Sequence, residues 1–327
     1  MKHIIISTGL MYFLFACSTA EKKVEPLPQK EVKALKVYQA PDTNELKDDE
    51  WGQMVRYGAR IVRYSTYYIG PDGVASKNLR NKMTCTNCHL DAGTRPYGLN
   101  FFDSHRTYPQ YRSREDAILT MSDRVNNCIT RPHAGKPLAL DSKEMIAIVS
   151  YIKWVGEKYN PEQHEGYGLK KINYDSLRAS SEKGAVVYSI HCQSCHMADG
   201  GGLWNPQKTG YVNPPLWGPM SYQEGSSMHR VIKAAEFIKF NMPNLIAKYN
   251  QPALSDQEAL DVAAFINDGR IHPRPVPKFH NYPNINTKPV DYFKGPYLDP
   301  YSEDQHAFGP WYEIEKFYAE LKKEKKK

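Results

Sequence analysis

Long apolar runs are missing from this chain. Outside residues 4–16 no stretch approaches the roughly 18 consecutive apolar residues that a membrane-crossing helix needs, and that one run is itself too short. Cysteine is scarce and unevenly placed: six residues, at 17, 85, 88, 128, 192 and 195, four of them in two tight pairs. A zinc site would want further cysteine pairs, and there are none. A general basic surface is also missing. The net charge of +7 comes largely from the extremes: residues 322–327 carry +4 and Lys2 one more, leaving +2 for the rest. So even a balance gives no nucleic-acid partner. Lysine is absent from residues 90–131, where six arginines stand instead (Arg95, Arg106, Arg112, Arg114, Arg124, Arg131). Arginine offers a planar fork matched to oxyanions and carboxylates, which lysine does not.

What the chain does have is two Cys-x-x-Cys-His runs, Cys85-Thr86-Asn87-Cys88-His89 and Cys192-Gln193-Ser194-Cys195-His196. One helical turn at this spacing presents two thiols to the vinyl groups of a haem and sets the next histidine under the iron. Two covalently bound c-type haems are therefore expected, held by Cys85, Cys88, Cys192 and Cys195, with His89 and His196 as axial ligands. No disulfide framework is possible once four cysteines are so used. Cys128 is then an odd thiol in a chain bound for an oxidising compartment. The expected export signal is residues 1–17: Lys2 and His3, the apolar run, and Leu14-Phe15-Ala16-Cys17, which resembles a lipoprotein cleavage site. Cys17 would then carry lipid on the periplasmic, envelope side of the membrane. Residues 18–50, rich in Lys, Glu, Pro and Gln, read as a flexible tether.

An internal repeat divides the remainder. In the second copy, residues 173–275, Gly184 and Tyr188 precede the attachment run at helical spacing. Asn213-Pro214-Pro215-Leu216 and Asn241-Met242-Pro243 follow, and Ser255-Asp-Gln-Glu258 caps a closing helix with an apolar face at Leu260, Ala263, Ala264 and Phe265. The first copy, residues 51–160, is a stretched version. Gly58 lies in its opening helix, an insertion around Gly70-Pro71-Asp72-Gly73 follows, and Asp141-Ser-Lys-Glu144 caps a helix holding Met145, Ile148, Ile152 and Trp154. This order resembles the class I cytochrome c fold, in which first and last helices cross at a glycine. The chain is thus expected to be mainly α, two class I cytochrome c-like haem domains in tandem with long loops. Residues 161–172 read as a linker, and residues 276–327, rich in Pro and Tyr, as an irregular extension with a basic tail.

The sixth position on each iron separates the two copies. For the second haem Met242, in a loop before proline, is favoured over Met220 and Met228, and thioether ligation suits electron transfer. The first copy has no equivalent methionine before its closing helix. Cys128 stands at the corresponding place, with His105 and His133 as competitors.

These residues reach a family. Arg124-Val-Asn-Asn-Cys128, forty-three positions after Cys85, with Gly135-Lys136-Pro137-Leu138, Pro214-Pro-Leu-Trp-Gly-Pro219, Phe237-Ile-Lys-Phe-Asn-Met-Pro243 and the segment 254–266, resembles the dihaem thiosulfate dehydrogenases over about residues 50–275. The resemblance implies a periplasmic enzyme joining two thiosulfates into tetrathionate with release of two electrons, or running backwards as a tetrathionate reductase. It implies His89/Cys128 ligation at an active-site haem and His196/Met242 ligation at an electron-exit haem that passes electrons to a soluble cytochrome c or other redox partner. Arg114 and Arg124 sit at spacings from Cys128 that resemble the family's anion-binding positions, which makes Cys128, Arg114 and Arg124 the candidate catalytic set. Two positions depart from some members: Pro132 replaces a serine, and Asn241 replaces a lysine beside the methionine. A pure electron-transfer module, a cytochrome conjugating thiosulfate to a carrier protein, and a dihaem peroxidase are the competing readings.

Overall fold

Each half of the chain is built on a pair of crossed helices. A computed structural model describes residues 34–275 and 281–324; the expected leader, Cys17, the start of the tether and the last residues of the basic tail lie outside them. In the first half Glu50–Arg63 crosses Lys143–Gly156, and in the second Ser181–His191 crosses Asp256–Asn267. Glycine makes both crossings possible in the same way. A Cβ at Gly58 would run into the Ala147 backbone and lie 2.8 Å from the Cβ of Tyr151; one at Gly184 would run into the Asp261 backbone and lie 2.8 Å from the Cβ of Phe265. The two copies thus share a contact as well as a pattern, and the two cytochrome c domains stand in tandem.

The closing helices begin where their caps are. Ser255 and Glu258 satisfy one another's backbone N–H groups at 3.2 and 2.8 Å, as a capping box does. In the first half the cap is Ser142, which accepts from the Met145 N–H at 3.2 Å, so Asp141 stands just outside the helix. Each crossing is sealed by an apolar cluster. Val55, Ile61, Met145 and Ile152 belong to the first, and Val187, Ile238, Leu260 and Val262 to the second. Among the described residues no helix is long and apolar enough to cross a membrane.

Three expectations about connecting segments are corrected. The tether is docked from residue 36 on: Lys36–Val37 pairs in parallel with His164–Glu165. Tyr38 is buried beside it, donating its hydroxyl to the Val155 carbonyl at 3.1 Å. The same pairing turns part of the 161–172 linker into structure. The extension is not irregular throughout, for it forms the helices Glu303–Phe308 and Tyr312–Glu324. Trp311 and Ile314 are fully buried in the second core, and the Trp311 indole donates to the His306 carbonyl at 2.9 Å. Proline and tyrosine mask this in the sequence because only a few side chains of each short helix face inward.

The two halves meet along direct hydrogen bonds. Asn241, next to Met242, donates to the Tyr97 carbonyl at 3.1 Å, and Arg95 donates to the Asn244 side chain at 2.9 Å. Further along the seam Asn81 donates to the Ser221 carbonyl and Gln223 to the Thr130 carbonyl, both at 3.3 Å.

Candidate active site

In the first half, helix Met121–Thr130, the attachment run and the hairpin of Gln110–Arg112 with Ala117–Leu119 enclose a cavity of about 230 Å³. Its walls are largely apolar, with Val62, Ile69, Phe101, Val125, Ile129 and Ile152 among them. Cys85, His89 and Cys128 all line it. His89 accepts its orientation from the backbone: Nδ1 lies 2.5 Å from the Leu99 carbonyl, which leaves Nε2 for an iron. His196 does the same in the second half, with Nδ1 2.8 Å from the Pro214 carbonyl. An apolar slot lined by an attachment cysteine and an oriented histidine fits a haem, and both halves supply such a histidine.

The thiols separate by environment. Burial pushes the Cys85 thiol up to about 11 and those of Cys88 and Cys192 up to about 12. Cys128 goes the other way. Burial alone would raise it, but the Arg124 guanidinium and the nearby His89 ring reverse the effect and bring it down to about 6. Arg124 lies one helical turn before it and donates Nη1–H to Sγ at 3.0 Å. The Cys128 charge in turn holds the arginine more firmly protonated than usual. This half-buried thiolate–guanidinium pair faces the cavity that His89 lines. It is suited to an iron ligand or a sulfur nucleophile.

The other candidates are placed as follows. His133 lines the cavity but is bound at Nδ1 to the Asn81 side chain, 2.9 Å away, and burial lowers it to about 4, so it stays neutral. His105 is not among the lining residues; it packs against Gly156. Arg114, expected beside Cys128, turns away. It sits in the hairpin turn and donates to the Gly225 carbonyl at 3.0 Å, to Ser227 Oγ at 2.8 Å and to the Tyr282 hydroxyl. Two residues outside the candidate catalytic set, Arg112 and Tyr108, reach the cavity in its place. Both lie near Cys128 or Arg124 electrostatically, since partial burial raises the Tyr108 hydroxyl while Arg124, Arg112 and Cys128 all act on it. Gln110 and Arg112, two residues apart on one short strand, present their side chains to the same face, which is what brings Arg112 to the cavity. Arg131 is buried in an ion pair with Glu115 at 2.9 Å and also meets Asn127 and Asn281. In the second half Met242 ends helix Val231–Asn241 and packs against the core, as does Met228, whereas Met220 does not. Lys239 is engaged by Asp256 at 2.5 Å.

Comparison with known proteins agrees with this division. Residues 74–159 match the SoxA/TsdA cytochrome c domain and residues 181–269 the cytochrome c domain. The chain is 35% identical to thiosulfate dehydrogenase of Psychrobacter arcticus over 75% of its own length and 71% of that protein. It is 32% identical to the enzyme of Stutzerimonas stutzeri over 83% and 87%. Among solved structures, the as-isolated form of thiosulfate dehydrogenase (TsdBA) from Marichromatium purpuratum aligns with a TM-score of 0.68 at 32% identity. That match covers 81% of this chain and 55% of the other.

Proposed function

The chain belongs to the thiosulfate dehydrogenases, dihaem cytochromes c, and on that premise we propose that it interconverts two thiosulfates and tetrathionate at the Cys128 cavity. The observation that carries the reading is the Cys128 thiolate held 3.0 Å from Arg124 in a cavity shared with His89. Haem, when bound, would be held by Cys85, Cys88 and His89 in the first half and by Cys192, Cys195 and His196 in the second, with Cys128 and Met242 as the candidate further ligands, and would supply one-electron acceptors for the two electrons released to an external carrier.

The residues of the chain do the rest. Arg124 and Arg112 offset the charge of the approaching dianions and turn their sulfonate ends away from Cys128, leaving the outer sulfur facing it. The Cys128 thiolate bonds to that sulfur, giving a Cys–S–S–sulfonate side chain with loss of two electrons. The outer sulfur of a second thiosulfate then attacks the adduct at the sulfur bonded to the sulfonate. The Cys128 sulfur leaves as thiolate and tetrathionate departs, so no proton is needed. In reverse the same steps reduce tetrathionate. Residues 1–17 and the extracytoplasmic nature of haem attachment support an envelope location with a lipid on Cys17; the lipid label should vanish in Cys17→Ala.

The decisive test is Cys128→Gly. It should still bind two haems, because four attachment cysteines and both axial histidines remain. It should lose essentially all turnover with thiosulfate plus ferricyanide and with tetrathionate plus a reduced dye. Wild-type turnover in that variant would sink the assignment. For the exit centre, Met242→Gly should remove the weak far-red absorption of methionine-bound ferric haem and slow electron exit; if the band survives, Met228 is the ligand to examine.

A further inference from the structure

The loop that follows His89 passes twice through left-handed backbone at bulky side chains, Tyr97 (φ 56°) and Leu99 (φ 55°). That conformation costs free energy without a glycine and persists only where the surroundings fix it. Here they do so from three sides. From the linker, the Gly166 carbonyl receives the Tyr97 N–H at 2.7 Å and the Gly168 carbonyl receives the Leu99 N–H at 3.1 Å. The Tyr97 hydroxyl donates to Glu165 Oε2 at 3.2 Å, on the strand paired with Lys36–Val37. From the second half, Asn241 Nδ2 donates to the Tyr97 carbonyl at 3.1 Å, and the Tyr249 ring packs on the Tyr97 ring with centroids 5.2 Å apart. Lys170 lies over both rings and donates to the Tyr249 carbonyl at 3.1 Å. From the attachment run itself, the Leu90 N–H donates to the Gly98 carbonyl at 3.1 Å.

Two axial positions meet in this loop. The Leu99 carbonyl, two residues from Tyr97, is the group that orients His89 Nδ1. Asn241 is buried and stands immediately before Met242; its other bond, to the Phe237 carbonyl at 3.1 Å, ties it to its own helix. We propose that Tyr97 is a positioning residue for both haems, holding the Leu99 carbonyl against His89 and the Asn241–Met242 helix end in one fixed relation. Tyr97 is not among the residues lining the Cys128 cavity, so it acts through these neighbours. A reaction that releases two electrons into two one-electron centres changes the charge of both. A mount common to both ligands keeps the donor strength of His89 steady while electrons pass to the second half. The proposal rests on His89 and Met242 as ligands and not on the sulfur chemistry of Cys128.

Redox titration of the holoprotein without thiosulfate tests it, with each haem followed by its own electron paramagnetic resonance signal. Failure here and failure of the Cys128 reading therefore show in different measurements. The sharper variant is Asn241→Ala, because it alters the second half and is read in the first. Freeing the Tyr97 carbonyl lets Leu99 draw back from His89, whose ring then donates less to ferric iron, so the first haem should shift toward reduced at fixed potential. The expected change in its reduced-to-oxidised ratio is on the order of fivefold, the weight of one neutral hydrogen bond. Tyr97→Ala should move both haems, and Tyr97→Phe, which keeps the ring and the backbone bonds, should recover most of that change. A first haem left at its wild-type ratio and signal in Asn241→Ala, with only the second displaced, overturns the shared mount. So does a Tyr97→Ala protein with both haems unmoved. Where one of these two variants fails to attach its haems, the other decides on the same criterion.

Discussion

Two arginines ten residues apart are assigned different work by where their donors go. Arg124 points at Cys128, 3.0 Å away, while Arg114 is taken up by Gly225, Ser227 and Tyr282. Arg124→Gln should raise the Michaelis constant for thiosulfate and lower kcat/KM by about 1.5–3 kcal/mol, the loss of one charged hydrogen bond in a desolvated site. Arg114→Gln should leave the Michaelis constant nearly unchanged and lower the denaturation midpoint, since it frees partners on the second half and on the extension. Steady-state kinetics beside a urea titration of each variant checks both; a thiosulfate defect confined to Arg114→Gln would reverse the assignment. Arg124 was legible from sequence because helical spacing to Cys128 is a local relation. The direction taken by Arg114 was not, because Gly225 and Tyr282 are over a hundred residues away and only the folded chain brings them near.

At the scale of elements, the crossing glycines are the tightest points. Gly58→Ala and Gly184→Ala each place a methyl group against backbone that cannot yield without parting two helices. Each should cost about 2–4 kcal/mol, at or above the upper range for overpacked core sites. Denaturant unfolding of the holoprotein followed at the haem bands would show it, and a loss under about 1 kcal/mol would mean the helices separate readily. These crossings could be read in advance because the glycine of the opening helix and the capped closing helix recur in both copies. The Cys128 helix was legible for its cysteine. The hairpin that brings Arg112 to the cavity was not, since its strands are three residues each and carry little alternation.

Across the whole molecule, the segment after residue 281 joins parts that the repeat alone would leave apart. Its Tyr282 N–H donates to the Arg114 carbonyl at 2.8 Å, Asn281 receives Arg131 at 2.9 Å, and Trp311 is buried in the second core. Trp311→Ala should therefore cost about 3–5 kcal/mol, as large-to-small core changes do. It should also loosen Arg114 and Arg131 in the other half, read as faster amide exchange at residues 110–119. Protection unchanged there would show that the extension stabilises only its own half.

The shared treatment of His89 and His196 has one more consequence. Each Nδ1–H meets a neutral peptide carbonyl, Leu99 in one case and Pro214 in the other. Neither meets a carboxylate, which would draw the ring toward imidazolate and push electron density onto the iron, as oxygen–oxygen bond cleavage favours. That argues against the peroxidase reading from the proximal side alone. It also means the two irons begin from nearly the same electronic footing. On the ligation proposed here, the contrast between them comes from the opposite face, where a thiolate beside Arg124 answers a thioether at Met242.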